Sequence, residues 1–408
     1  MRLDPARRFV GLVRPAHLGA LLRLGPQPLA FSFSAPSRKV WATGVGVAAE
    51  GLGEVRWLES PAALPPGPWF GGWAFDAQRR WAGFDDERWV LPEVLAWWDG
   101  AHTWLAAFGD EGTRASVLSD RLEQVETVEA ELAANRTEAP RRVGSHTAAG
   151  AEFRALVSDA VTAIEAGQFD KVVVARCIEV AAAQSVSERA LLKSLEARNP
   201  DSFTFLVRGR DGSAFIGASP ELLCFIKDGV LSADALAGTA LPGHASALLE
   251  SDKDLREHRA VIAGVRASLE PFSASVEGLA QPGVRVLPNV VHLHTLLRAT
   301  LRPGVADLSV ARALSPTPAV CGAPTAPARE WLRSHESFSR GWYAGAVGFT
   351  GPNGTMLSVA LRSALLRGEK ATVFVGAGIV RGSTPDAEWL ETEQKARTLL
   401  TALGVEHA

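Results

Sequence analysis

Phe203-Thr-Phe-Leu-Val207-Arg-Gly-Arg210-Asp211-Gly212-Ser213-Ala-Phe-Ile-Gly217-Ala-Ser-Pro220-Glu221-Leu222-Leu-Cys-Phe-Ile226 contains three short apolar runs separated by turn chemistry. Residues 203–207, 213–217 and 222–226 read as strands, because aromatic and aliphatic residues fill them and Gly, Asp, Ser and Pro bound them. Arg210-Asp211-Gly212 joins the first two as a hairpin. Working outward, residues 152–166 form an amphipathic helix ended by Gly167. Lys171-Val-Val-Val-Ala-Arg176-Cys-Ile-Glu-Val180 is a strand, and residues 187–198 are a helix stopped by Asn199-Pro200. Residues 251–269 read as a helix, and 310–314 belong to another. Residues 342–349, 355–366 and 371–375 read as strands, and Thr384-Pro385 opens a last helix with Thr as N-cap and Pro at the first helical position. Helices and hairpin-spaced strands mix without strict βαβ alternation. The expected class is therefore α+β with largely antiparallel sheets.

Residues 1–110 are rich in Trp, Gly and Pro and read as short strands and tight turns, with their nine tryptophans as core fill. Residues 116–134 read as a helix and 137–150 as a connector with few apolar anchors. The chain thus divides into an N-terminal part of the fold, 1–140, and a part bearing the candidate chemistry, 141–408. With 408 residues, 47% of them apolar, it is expected to be a soluble globular protein. The net charge of −3 argues against a nucleic-acid binder. Three scattered cysteines suit buried free thiols in a reducing, cytoplasmic setting. No signal peptide and no run of 18 apolar residues is visible, so no membrane span is expected. No long apolar helix seam is visible either, so a monomer is expected.

In Asp386-Ala-Glu388-Trp-Leu-Glu391-Thr-Glu-Gln-Lys395, the residues Glu388, Glu391 and Lys395 fall at i, i+3 and i+7, on one helical face. Asp254 and Glu257 repeat the i, i+3 acidic spacing. Two helices that each offer such a pair can build a hard-cation site of the kind Mg2+ uses with an anionic substrate. Lys171 opens an apolar strand, where lost hydration would make it a usable base; a snorkelling strand-end lysine is the plainer account. Glu221, between a turn and an apolar strand, could be a protonated general acid or an ordinary turn glutamate. Leu236-Ala-Gly238-Thr239-Ala240 and Gly376-Ala-Gly378 read as small-residue turns that let a ligand approach the backbone. Neither they nor Gly44-Val-Gly46 match the dinucleotide fingerprint. His292 and His294 have no Cys/His partners in sequence and read as structural, and no Gly-x-Ser-x-Gly elbow is present.

Several separated segments, in order, resemble the chorismate-utilising enzymes. They are residues 169–176, Phe215-Ile-Gly-Ala-Ser-Pro-Glu-Leu-Leu223, Leu236-Ala-Gly-Thr239, residues 253–258, Ser315-Pro-Thr-Pro-Ala319, Gly341-Trp-Tyr-Ala-Gly-Ala-Val-Gly348, Leu361-Arg362, residues 376–379 and residues 388–395. Trp69-Phe-Gly-Gly-Trp-Ala-Phe75 is a looser match. The resemblance implies one large unit of two layered, largely antiparallel sheets with helices outside, an α/β sandwich with its site in a C-terminal cleft. It implies chorismate as substrate and Mg2+ on the ring carboxylate. Glu257 and Glu391 would be direct ligands, with Asp254 and Glu388 assisting through water. Arg362 and Lys395 would bind the enolpyruvyl carboxylate, while the backbone at Gly238, Thr239, Gly376 and Gly378 closes around the substrate. Amine-adding members carry Gln where this chain has Lys171, and aminodeoxychorismate enzymes carry a nucleophilic Lys where it has Ala237. Lys171 as base for water and Glu221 as acid for the departing 4-hydroxyl point to isochorismate formation, with no glutaminase subunit. Salicylate-forming members share both residues and then eliminate pyruvate, but their turn usually continues Gly-Thr-Arg where this chain has Ala240. A catalytically silent binder of a dianionic metabolite is the reading from another class; it would need no acid/base pair.

Overall fold

The hairpin at the start of the analysis lies in the middle of a large sheet. Strand Phe203–Arg208 pairs antiparallel with strand Ala214–Ser219 across the Arg210-Asp211-Gly212 turn. The computed structural model describes residues 4–16, 29–35, 40–59, 65, 67–98, 101–127, 141–142, 146–182, 184–278 and 281–405. Among these residues the strands form two sheets, of thirteen and ten strands. Apart from strands Asp4–Ala16 and Gly53–Trp57, which run parallel, every pairing is antiparallel. The α+β expectation holds.

Two strand ends explain how one chain feeds both sheets. Strand Ala214–Ser219 belongs to the larger sheet and strand Leu222–Lys227 to the smaller, so the chain crosses between layers at Pro220-Glu221. It crosses back at 360–362. The single strand expected at 355–366 is in fact two, Gly354–Val359 in the smaller sheet and Ser363–Arg367 in the larger, separated where Arg362 takes φ 47°. A left-handed residue ends a strand because it turns the backbone out of the pleat.

The layers share a core in which Phe33, Phe70, Phe205, Phe215, Trp69 and Trp342 are buried together. Full burial of such side chains contributes about 1.5–3 kcal/mol each. A second apolar cluster lies where helices Glu188–Arg198 and Pro385–Ala402 meet the larger sheet, joining Leu191, Leu195 and Leu399 to Ile216 and Val373. Helix Asp252–Leu269 turns Glu257, Val261, Val265 and Leu269 inward at i, i+4, i+8 and i+12. Its Ser251 side chain accepts from the Asp254 amide and caps the helix. The N-terminal strands extend both sheets: Leu29–Ala35 pairs with Phe203–Arg208, and Trp69–Trp73 with Ala346–Gly351. Six of the nine N-terminal tryptophans are buried; Trp41, Trp57 and Trp98 are partly so.

Several local expectations are corrected. The predicted turn at 236–240 is the end of strand Val230–Ala240, and Gly376-Ala-Gly378 lies inside strand Lys370–Val380. Residues 342–345 form a turn, with strand Ala346–Gly351 following. Strands Val230–Ala240 and Val291–Leu301, which pair along their length, lack the β-branched density that would have announced them. Thr384 does occupy the N-cap, but its side chain makes no capping hydrogen bond. The helix expected at 116–134 is Ala115–Thr127, and its remaining residues lie outside the described ones. Of the 137–150 connector, residues 141–142 pair with 180–181, residue 146 already begins a helix, and the rest lies outside the described residues.

Candidate active site

Both crossovers open on one cavity, lined by Glu221, Thr239, Glu257, Arg362, Gly376 and Lys395 among others. Lys171 begins strand Lys171–Ala181, whose Val173 lines the cavity, and is 1% exposed. Its Nζ lies 2.9 Å from Glu257 Oε1. Gly378, on the neighbouring strand, makes room for that pair: a Cβ there would stand 2.5 Å from Glu257 Oε1 and 3.1 Å from Lys171 Cε.

Glu221 is buried and, among the described residues, in no ion pair. Its side chain has one long contact, with the Thr317 hydroxyl at 3.5 Å. Burial, with the nearby Asp234 carboxylate, pushes its carboxyl up to about 8, although Lys171 and Arg285 pull the other way. It is therefore a neutral proton donor at neutral pH, as the general-acid reading requires.

Arg362 sits at the second crossover, 7% exposed. It donates to Thr398 Oγ1 at 3.3 Å and to His292 Nε2 at 3.2 Å. No carboxylate of the described residues lies within ion-pair distance of it. Burial pulls the guanidinium down to about 10. Since arginine only donates, Nε2 of His292 is the acceptor and its Nδ1–H points to the Gly238 carbonyl at 3.1 Å. Burial and the Arg362 charge hold this imidazole neutral, well below its usual range. His292, expected to be merely structural, thus orients the unpaired guanidinium. Its signal was its alternation with His294, which puts both rings on one strand face.

Gly238 has φ +74° and sits in a β-bulge, where the register against strand Val291–Leu301 skips from Ala237↔Leu293 to Thr239↔His292. Only glycine takes this backbone without strain. The Thr239 hydroxyl donates to Glu391 Oε1 at 3.3 Å. Lys395 Nζ reaches the same oxygen at 2.5 Å and the Gly376 carbonyl at 3.1 Å.

Of the four predicted acidic residues, carried on two helices that Lys253 and Glu388 tie together, Glu257 and Glu391 line the cavity, and three of the four are matched by a lysine. Glu257 pairs with Lys171, Glu388 with Lys253 at 3.1 Å, and Glu391 with Lys395. Asp254 has no such partner among the described residues; burial and the Glu257 charge raise its carboxyl above its usual range. Burial and Glu391 push Glu388 up to about 7. Among the described residues no three His, Cys, Asp or Glu side chains converge on one point. An all-oxygen, anionic donor set still suits Mg2+, which takes one or two protein carboxylates and fills its shell with water and substrate oxygens. Sequence reasoning missed Lys253 and Asp234 because their partners, Glu388 and Arg285, are distant in the chain. The three cysteines are free, with Cys224 and Cys321 buried and Cys177 partly so.

A sequence model described as chorismate binding enzyme matches residues 61–404. The salicylate biosynthesis isochorismate synthase of Pseudomonas aeruginosa is 39% identical over 262 residues, which is 62% of this chain and 54% of that protein. The chain therefore spans about half the length of that relative. Isochorismate synthase MenF of Haemophilus influenzae is 32% identical over 328 residues, 78% of this chain and 75% of that one. Among solved structures, MenF of Escherichia coli, the menaquinone-specific isochorismate synthase, superposes with a TM-score of 0.81 at 25% identity, covering 99% of this chain and 96% of that chain. Anthranilate synthase component I of Streptococcus pneumoniae gives 0.70 at 20% identity over 98% and 93%, which speaks for the fold alone.

Proposed function

The chain belongs to the chorismate-binding enzyme family, and on that footing we propose that it converts chorismate to isochorismate with Mg2+. The observation that carries this reading is the meeting, in one cavity, of a buried protonated glutamate and a buried arginine without a counter-ion, with a buried lysine held against the Glu257 that lines the same cavity.

Arg362, steered by His292, would take the enolpyruvyl carboxylate, because a guanidinium fork matches a carboxylate and desolvation strengthens the pairing. Lys395 adds a second positive charge at the same wall. Lys171 would act as the base that takes a proton from the water adding at C2. As the new C2–O bond forms, the ring double bonds shift and the C4–O bond breaks. Glu221 gives its proton to the departing oxygen, which leaves as water. One water enters and one leaves, so the reaction is an isomerisation. Glu257 and Glu391, with Asp254 and Glu388 through water, would hold Mg2+, whose charge would neutralise the ring carboxylate that otherwise faces four acidic side chains. Water as nucleophile needs no glutamine-hydrolysing partner.

Incubation with chorismate and Mg2+, followed by chromatographic separation of isochorismate, salicylate and anthranilate, tests the proposal. Isochorismate is expected. Salicylate with pyruvate would extend the reaction by an elimination, anthranilate would overturn the role of Lys171, and no turnover would leave a binder of dianionic metabolites.

A further inference from the structure

The peptide groups on either side of Glu221 are held by side chains that the reaction itself does not use. Asp234, 4% exposed on strand Val230–Ala240, accepts at Oδ2 from the Leu222 amide at 3.1 Å. Arg285, on strand Gly283–Val286, donates from Nη1 to the Pro220 carbonyl at 2.5 Å and to Asp234 Oδ2 at 2.6 Å. His294 Nε2 donates to Asp234 Oδ1 at 2.8 Å. A chain that leaves one sheet for another has peptide groups with no ladder partner, and these must be met by side chains. Here one ion-pair cluster meets them on both sides of the crossover.

Peptide satisfaction alone does not call for a full charge. An asparagine oxygen would accept from the Leu222 amide equally well, and burying a carboxylate costs several kcal/mol before partners offset it. Arg285 and His294 are those partners. Although burial opposes it, they hold Asp234 below its usual carboxylate range, so it is ionised where Glu221 is not. Two neighbouring carboxyls pushed in opposite directions is the arrangement that separates an acid from a fixed charge.

We infer that Asp234, held by Arg285 and His294, is the positioning residue of the acid: it fixes the Glu221 backbone at the sheet crossover and keeps a permanent negative charge beside the Glu221 carboxyl. This rests on the reading of Glu221 as general acid. The groups facing Glu221 are Asp234, Lys171, Arg285 and the Thr317 hydroxyl, from four separate segments. Of these only Asp234 favours the protonated carboxyl, alongside burial.

The test is the pH profile of kcat/KM for chorismate with Mg2+ in the full-length protein, for the parent, Asp234→Asn, Arg285→Met and Glu221→Gln. That profile reports the acid in the free enzyme. Asp234→Asn keeps an acceptor for the Leu222 amide and loses the charge. Its alkaline limb should move to lower pH, and kcat should fall roughly ten- to a hundredfold because the lost ion pair loosens Arg285 on the Pro220 carbonyl and so misplaces the acid, with KM changed far less. Arg285→Met removes the opposing positive charge and should move the limb to higher pH. A folded Asp234→Asn with the parental limb and kcat overturns the inference. Should that variant not fold, an unmoved limb in Arg285→Met overturns it. If Glu221→Gln is inactive while neither limb moves, only the positioning role falls. If Glu221→Gln keeps the parental kcat, the acid assignment falls and takes this inference with it.

Discussion

Lys171 Nζ and Glu257 Oε1 stand 2.9 Å apart, with Glu257 lining the cleft, so the proposed base and a proposed metal ligand neutralise each other in the free chain. Their side chains are 2% and 11% exposed. Removing one partner of such a pair leaves an uncompensated charge, at about 3–5 kcal/mol. Lys171→Gln should therefore lose hydration activity and also unfold at lower temperature. Mg2+ should restore part of the lost stability, because a cation at Glu257 replaces the missing ammonium. Melting curves with and without Mg2+ check this. A variant as stable as the parent in metal-free buffer would show that the pair does not support the fold.

Metal dependence follows from the acidic mouth. Glu391→Ala should lower turnover by more than about a hundredfold, since even residues behind a metal ligand commonly cost 10–100-fold in metal affinity or activity. EDTA should abolish parental turnover, and added Mg2+ should restore it. Full activity after exhaustive chelation would remove the metal from the proposal.

The acid sets the alkaline side of the pH profile. Glu221 must carry its proton to act, and burial with the Asp234 charge pushes it up to about 8. The active form is present below that value and is lost as pH rises through it, so kcat/KM should decline through about pH 8. Glu221→Gln keeps shape and hydrogen bonding but has no proton to give. It should bind chorismate nearly as well as the parent and lose about 10²–10⁴-fold in kcat. A flat profile to well above pH 8 in the parent would contradict the assignment.

Arg362 separates binding from stability. It is a buried cation with no carboxylate of the described residues within ion-pair distance, held instead by Thr398 and His292. Arg362→Met removes a charge that the free chain has buried at a cost, so its melting temperature should match or exceed the parent's. Chorismate binding should weaken by about 2–5 kcal/mol, the usual loss when one partner of a buried, hydrogen-bonded charge pair is truncated. Calorimetric titration and a melting curve read the two quantities separately. Lost stability with unchanged binding would make Arg362 a structural residue.

The elements that spoke clearly in the sequence were those with local signals. The Arg210-Asp211-Gly212 hairpin needed only its turn residues, and helix Asp252–Leu269 only its period and its Ser251 cap. The i, i+3 acidic pairs were legible because helical spacing is fixed. What stayed hidden depended on which sheet a strand joins. Residues 355–366 read as one apolar run, and nothing in it says that the chain changes layers at Arg362. Strand Val230–Ala240, with Ser, Asp and four alanines, resembles neither a helix face nor a β-rich core strand. The lysine partners of Glu257, Glu388 and Glu391 were also out of reach for Glu257 and Glu388, whose partners lie 86 and 135 positions away in the chain.

The bulge at Gly238 acts as a reading-frame shift written in three dimensions. Strand side chains alternate between faces, so Asp234 and Leu236 turn to the cleft and position 238 would be next in phase. The skipped register at Gly238 passes that turn to Thr239, opposite His292. The skip therefore keeps Thr239 in step with Leu236, on the side of the strand that meets the cleft. Deletion of this one glycine would keep the threonine opposite His292 but remove the bulge that bends the strand beside the cleft, while a side chain in its place would stand 3.0 Å from Asp254 Cβ on a backbone that favours glycine. A single residue here thus sets how the strand bends at the point where it meets the chemistry.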